Sequence, residues 1–388
     1  MTALRYASLL LLCAAGASQA AAPAAPVAAI PSAQDAPIAL LIDVSSGQTL
    51  FARDADRRFM PASITKAMTT YVAFQRMAEG KLFPRQLTAM RPETFTQWHG
   101  VGSTMFLSAN APVTFDDLLH GVTTVSANDG SVVLAEGALG SVAAWIAEMN
   151  RTARLLGMRD SHFGTPNGWM DEGGTWTTAR DLALLGTAMV TRYPGYYKHF
   201  VGAQTFRFND IEQRNHDPIT GVVPGADGIK TGFTNQAGYG FLGSAQRNGR
   251  RLVLVVAGSP TGRARNTASR ALVEWGFQAF DSRILFPMRS DLGRARVQGG
   301  TARAVGLVPA WPIRLAVPHG DAVRVRLRVS YDGPLRAPIR QGEEIARLQV
   351  FMDDARVSSL PLVAAEAIPR ANLFQRVLNG LARMLWLG

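Results

Sequence analysis

The sequence predicts an α/β (α+β) fold, in which an antiparallel sheet is flanked by helices and carries a helical subdomain. A small β-rich domain and a C-terminal amphipathic helix follow. Three observations predict it. Apolar runs separated by hairpin turns occur at both ends of the region before Ser282, and helical periodicity fills its middle. Past Ser282 the pattern changes to short alternating strands punctuated by Gly and Pro. With 388 residues, 47% of them hydrophobic, the chain can bury a large core and form more than one domain.

Residues 1–20 read as a secretory signal: Arg5 in a short charged head, an apolar run from Ala7 through Ala17, and Ser18-Gln19-Ala20 as a small-x-small cleavage site. The run is well short of the ~20 residues a bilayer needs, so cleavage after Ala20 is expected. An Ala/Pro-rich segment, 21–34, follows as a flexible linker. Ala39–Val44 and Thr49–Ala52, joined at Ser45-Ser46-Gly47, form a hairpin. Pro61-Ala62-Ser63 precedes a helical pattern from Ile64 to about Met77, which sets Ser63 at a helix N-terminus and Lys66 one turn along the same face.

Asp116–His120, Ser131–Met149 and Thr178–Met189 carry helical periodicity. Strands return around Lys230. Tyr239–Gln246 and Arg251–Ala257 flank Asn248-Gly249, whose two positions both tolerate positive φ, and strands from the two ends of the region form one sheet. Thr267–Phe280 closes this domain, 35–282, with an amphipathic helix.

Residues 283–363 form the β-rich domain. Its clearest strand is Val323–Val329, which alternates apolar residues with arginines; that arginine stripe is read as a solvated face. Segment 364–388 reads as a stalk (Ala364-Ala365-Glu366-Ala367) and an amphipathic helix, Asn372–Leu387. Leu373, Phe374, Val377, Leu378, Leu381 and Leu385 lie on one side of that helix and Arg376 and Arg383 on the other. It is too short to span a bilayer, and its cationic face suits an anionic membrane surface.

The net charge of +11 and pI near 10.4 would suit nucleic acid, but an exported chain with no nucleic-acid motif points to an anionic envelope surface instead. Cys13, the one cysteine, lies in the signal segment after Leu12, which is not the small residue that lipidation requires. The mature chain is therefore free of disulfides and thiolate chemistry. Six scattered histidines show no zinc spacing, so neither a metal nor another cofactor is expected.

Three motifs carry the chemistry: Ser63-Ile64-Thr65-Lys66, Ser126-Ala127-Asn128 and Lys230-Thr231-Gly232. The chain holds four lysines (Lys66, Lys81, Lys198, Lys230), and every other residue among its 40 Lys and Arg is arginine. Two of the four lysines stand in these motifs. The chemical reason is that a partly buried Lys can lose its proton near neutral pH, whereas Arg cannot be deprotonated in a protein.

The ordered set resembles the penicillin-binding proteins and serine β-lactamases. Pro61-Ala62-Ser63-Ile64-Thr65-Lys66-Ala67-Met68-Thr69, Asn167 with Thr178-Ala179-Arg180-Asp181-Leu182-Ala183, and Asp227-Gly228-Ile229-Lys230-Thr231-Gly232-Phe233-Thr234 narrow it to the low-molecular-mass D-alanyl-D-alanine carboxypeptidases, over about Pro37 to Phe280. The β-rich domain and amphipathic tail match that family's arrangement. The resemblance implies a β-lactamase/transpeptidase-like catalytic domain and a serine peptidase that removes the terminal D-alanine of peptidoglycan stem peptides. It also implies covalent inhibition by β-lactams and residence on the periplasmic face of the inner membrane.

In that reading Ser63 is the nucleophile, Lys66 its base and Ser126 a proton relay. Asn128 holds a substrate amide, and Lys230, Thr231 and Arg265 clamp the terminal carboxylate. Gly232 completes the third motif, and Phe233, with Ser63, offers a backbone N–H to the oxyanion. Ala127 and Phe233 depart from the Gly and His of many relatives. A class A β-lactamase would need a Glu-x-x-Leu-Asn loop before Lys230, and none occurs. A D,D-endopeptidase cutting crosslinks and an inactive peptidoglycan-binding scaffold are the alternatives.

Overall fold

The computed structural model describes residues 27–372. The signal segment and the Asn372–Leu387 helix beyond its first residue lie outside the described residues. Five antiparallel strands form the main sheet: β1 (Ile38–Asp43), β2 (Gln48–Arg53), β3 (Ala226–Thr234), β4 (Gly238–Arg247) and β5 (Arg250–Ser259), in the order β2-β1-β5-β4-β3. The first strand thus lies beside the last, as the apolar runs at both ends predict. Asn248 and Gly249 both take positive φ, 49° and 74°, in the β4–β5 turn.

Both faces of the sheet are buried, which is why its strands read as continuous apolar runs. Val253, Val255 and Ala257 of β5 enter one core with the helical subdomain, while Leu252, Leu254 and Val256 enter a second. Seven helices matter for the site: α1 (Lys66–Ala78), α2 (Phe115–His120), α3 (Asn128–Leu139), α4 (Val142–Leu156), α5 (Ala179–Arg192), α6 (Pro194–Phe200) and α7 (Gly262–Gln278). α7 packs in the second core through Ala268, Leu272 and Val273.

Four expectations are corrected. The single helix expected over Ser131–Met149 is two, because Gly140 ends α3 in the left-handed conformation at φ 81° and Ser141 caps α4 by accepting from Ala144 N–H. The closing helix starts at Gly262, where Thr261 caps it, and stops at Gln278; Phe280 already belongs to a strand, Phe280–Phe286, of the next domain. The Ala/Pro segment is held down at its end, with Ala28 N–H donating to Gln278 and Arg53 Nη1 to Pro31 O.

The stalk is the fourth. Ala364 is buried, Ile368 pairs with Ile339, and Ala371, also buried, donates to Gly299 O, so the β-rich domain continues through Ala371. Strand Val325–Ser330 lies at the edge of that domain's six-stranded sheet, where Val325 and Leu327 are more than a third exposed.

The two domains are joined by buried polar contacts. Gln48 exchanges both amide hydrogen bonds with Ala316, at 2.9 and 2.6 Å, and Ser358 Oγ donates to Ser46 O. The β1–β2 turn that carries Ser46 is fixed by Asp43, which accepts from Ser45 and Ser46 N–H and pairs with buried Arg250 at 2.6 Å.

Candidate active site

Ser63 sits in a 3-10 turn, Ala62–Thr65, that runs into α1. The turn is wedged between the loop after Asn167 and β3. A Cβ on Gly168, whose φ is 71°, would stand 1.9 Å from Ala62 O, and one on Gly232 would stand 2.4 Å from Pro61 O. Only glycine permits both approaches.

Lys66 opens α1 and is fully buried. Its Nζ lies 2.9 Å from Ser63 Oγ, 2.7 Å from Asn128 Oδ1 and 2.7 Å from Asn167 O. Burial, reinforced by the Lys230 cation, pushes its pKa well below the usual lysine range against an opposing pull from Asp129. A neutral amine has two N–H donors and one lone pair. The two carbonyl oxygens can only accept, so the lone pair is left facing the one partner able to donate, the Ser63 hydroxyl. Asn128 Nδ2 donates to Val101 O at 3.0 Å, which fixes the amide with Oδ1 toward Lys66.

The second motif is set by an unusual local path. α2 continues as a π-helical turn, Gly121–Val125, and Ser126 ends it in the left-handed region at φ 64°, a conformation a non-glycine residue holds only when its surroundings enforce it. Thr123 Oγ1 anchors the turn to Phe200 O at 2.6 Å. Asn128 then begins α3, and its neighbour Asp129, buried, accepts from Met105 and Leu107 N–H. Those bonds hold the loop that places Gly102 and Ser103 on the cleft.

On β3, buried Lys230 donates to Thr231 O. Burial first, and then the Arg265 cation, lower its pKa to about 7, with Asp217 opposing. Arg265, in the first turn of α7, lies 6.0 Å from the centroid of the Tyr239 ring, which stacks on Phe233 at 4.1 Å. These elements enclose a cleft of about 770 Å³. Ser63, Ser126, Asn128, Thr231, Gly232, Phe233 and Arg265 line it, and the Lys66 amine lies against its floor at Ser63. Eight of the nine expected residues thus meet at the cleft, and the ninth, Lys230, is buried on β3 behind Thr231, close enough for its charge to act on Lys66.

Sequence reasoning gave no role to Asp129, Gly168, Trp169 or His216. The last three line the cleft. His216 is held below the usual histidine range by burial, Lys230 and Arg265. Asp129 was legible only as an acid adjoining the second motif. The contribution of Asn167 comes from its main-chain carbonyl, which no side-chain pattern announces. Chemically, a hydroxyl against a neutral amine at one point and a cationic recess at another suit acyl transfer on a substrate with an anionic end.

Residues 23–261 match the family described as D-alanyl-D-alanine carboxypeptidase, and residues 280–370 match the C-terminal domain of penicillin-binding protein 5. The chain is 32% identical over 341 residues to the D-alanyl-D-alanine carboxypeptidase DacA of Haemophilus influenzae, covering 87% of this chain and 86% of that protein. It is 32% identical over 364 residues to DacA of Escherichia coli K12, covering 91% and 89%. The fold is similar to that of penicillin binding protein 5 from Haemophilus influenzae, with TM-score 0.73 and 31% identity over 88% of this chain and all of that one. It is also similar to ampicillin-bound penicillin-binding protein D2 from Listeria monocytogenes, with TM-score 0.55 and 26% identity over 63% and 98%.

Proposed function

The chain belongs to the D-alanyl-D-alanine carboxypeptidase family, and from that premise we propose how its cleft performs the reaction of a serine D-Ala-D-Ala carboxypeptidase. The observation that carries the assignment is the Lys66 amine, buried with no counter-ion within hydrogen-bond distance among the described residues and 2.9 Å from Ser63 Oγ. Lys66 takes the Ser63 proton as Oγ attacks the carbonyl between the two D-alanines. Backbone N–H groups of Ser63 and Phe233 receive the oxyanion, a contribution commonly worth ~3 kcal/mol per donor.

Ser126 passes a proton to the leaving amine, D-alanine departs, and water hydrolyses the ester on Ser63. Lys230, Thr231 and Arg265 receive the terminal carboxylate, and Asn128 holds a substrate amide. β-Lactams acylate the same serine. Stem peptides of peptidoglycan are the physiological substrate in this reading.

The test separates this activity from crosslink cleavage. Purified protein should release D-alanine from a soluble peptide ending in D-Ala-D-Ala faster than it cuts a crosslinked muropeptide dimer. Preference for the dimer would make it an endopeptidase. Release from neither, with Ser63 still labelled by penicillin, would leave a binding scaffold. Labelled Ser63 should also persist, because no Glu-x-x-Leu-Asn loop is present to drive deacylation; rapid turnover of benzylpenicillin would contradict that.

The pH profile follows from the two lysines. kcat/KM should rise as pH passes upward through the low pKa of Lys66, which frees the base. It should fall above about pH 7 as Lys230 loses the charge that receives the carboxylate. Lys230→Arg keeps the cation at all working pH, so its alkaline limb should move away from neutrality. An alkaline limb that stays near 7 in that variant would assign it to another group.

The chain is exported and sits on the periplasmic face of the inner membrane in this proposal, held there by Asn372–Leu387. Its support is the sequence pattern of residues 1–20 and of the tail. Truncation after Asn372 spares the buried Ile368 and Ala371, so the shortened protein should retain activity on soluble peptides while leaving the membrane pellet. Unchanged pelleting would refute the anchor.

A further inference from the structure

Away from the cleft, three side chains from two helices converge at the surface. Asp116 and His120 stand one turn apart on α2, and His199, 83 residues from Asp116, comes from α6. His199 Nε2 is 2.9 Å from Asp116 Oδ1, and His120 Nε2 is 3.8 Å from Asp116 Oδ2. The first contact is a hydrogen bond. The second is too long for one, yet both imidazoles turn the same nitrogen toward one carboxylate.

One donor atom from each residue lies within 4.8 Å of the others. Donors around a tetrahedral zinc ion, with bonds of ~2.0–2.1 Å, stand roughly 3.4 Å apart, so small side-chain rotations close the set. Phe200 packs on both imidazoles, with ring centroids 5.1 Å from His120 and 4.4 Å from His199, and backs the cluster with an apolar wall. His199 leaves its outer side open to solvent.

We propose that Asp116, His120 and His199 bind one divalent transition-metal ion of the zinc class, with water completing the coordination. Two imidazoles and one carboxylate suit such an ion in charge and softness. Spacing along the chain conceals the site because its donors come from separate helices. Its place in the fold gives it a consequence. α2 runs without a break into the Gly121–Val125 turn that ends at Ser126, and Thr123 of that turn bonds to Phe200 on α6. An ion joining α2 to α6 would clamp the support on which Ser126 rests.

The experiment uses the full chain without an affinity tag, titrated with Zn²⁺ by calorimetry and with Co²⁺ by visible absorption, beside His199→Ala and Asp116→Asn. The expected result is one equivalent of Zn²⁺ bound by the wild type and a tetrahedral-type Co²⁺ spectrum. Tm should also rise by a few degrees with Zn²⁺. Each variant should lose at least roughly tenfold to a hundredfold in affinity, the range that disturbance of even an outer-sphere partner brings, together with the spectrum and the Tm shift. Penicillin labelling of Ser63 in both variants verifies that they are folded. Unchanged Zn²⁺ binding in the two variants, or no one-to-one isotherm for the wild type at millimolar Zn²⁺, overturns the site.

Discussion

Ser63→Ala should release no D-alanine above the uncatalysed background and take up no penicillin. Removing the nucleophile of a serine acyl-transfer site costs roughly 10⁶ in kcat, because the remaining binding groups stabilise a transition state that no longer forms by the covalent route. The fold should survive. The hydroxyl contributes one hydrogen bond to Lys66, on the order of 1 kcal/mol, and the amine keeps Asn128 Oδ1 and Asn167 O as partners. A thermal melt close to that of wild type would therefore accompany the loss. Normal D-alanine release by this variant would remove Ser63 from the mechanism altogether.

Lys66→Arg should be nearly as severe for a different reason. A guanidinium keeps its proton at every working pH, so the base is lost while the charge is retained; a fall of about a thousandfold or more is expected in both peptide hydrolysis and penicillin acylation. The variant also forces a permanent cation into a fully buried position near the Lys230 cation, which should lower its stability. Lys66→Gln separates the two effects. Its amide can donate to the Asn128 and Asn167 carbonyls without supplying a base, so it should fold and still fail to acylate. Acylation by Lys66→Gln within tenfold of wild type would assign the base to another residue.

The parts of this site that were legible in the sequence are those whose chemistry depends on side-chain type. A serine one turn before a lysine, in a chain that holds four lysines among its 40 Lys and Arg, states a nucleophile and base without coordinates, and the hairpin at Asn248-Gly249 states a sheet corner. What stayed hidden depends on backbone or on distant contact. The carbonyl of Asn167 could have belonged to any residue; what matters is that Gly168 lets its loop come down on Ala62. Ser126 takes positive φ because the preceding turn is held by Thr123 and Phe200, which periodicity does not encode.

The break between α3 and α4 was written as Gly140-Ser141, but small and apolar residues on both sides continued the helical rhythm across it. The stalk was misread for a similar reason. Ala-rich sequence looks detachable, yet small side chains are what let Ala364 and Ala371 fit against neighbouring strands.

Among the described residues, β3 ends the main sheet and has a strand on one side only. An open edge of this kind ordinarily invites other chains to add themselves and build outward into aggregates. Here most of its length is closed off: Gly228 through Gly232 are buried, with Tyr197 and Val201 over Gly228 and the Ser63 turn over Gly232. The stretch that meets the cleft is short, Thr231 to Thr234. It offers a template long enough for a few extended residues and too short to seed a sheet. The burial that covers most of this edge thus also limits the length of extended chain that can lie along it in the cleft.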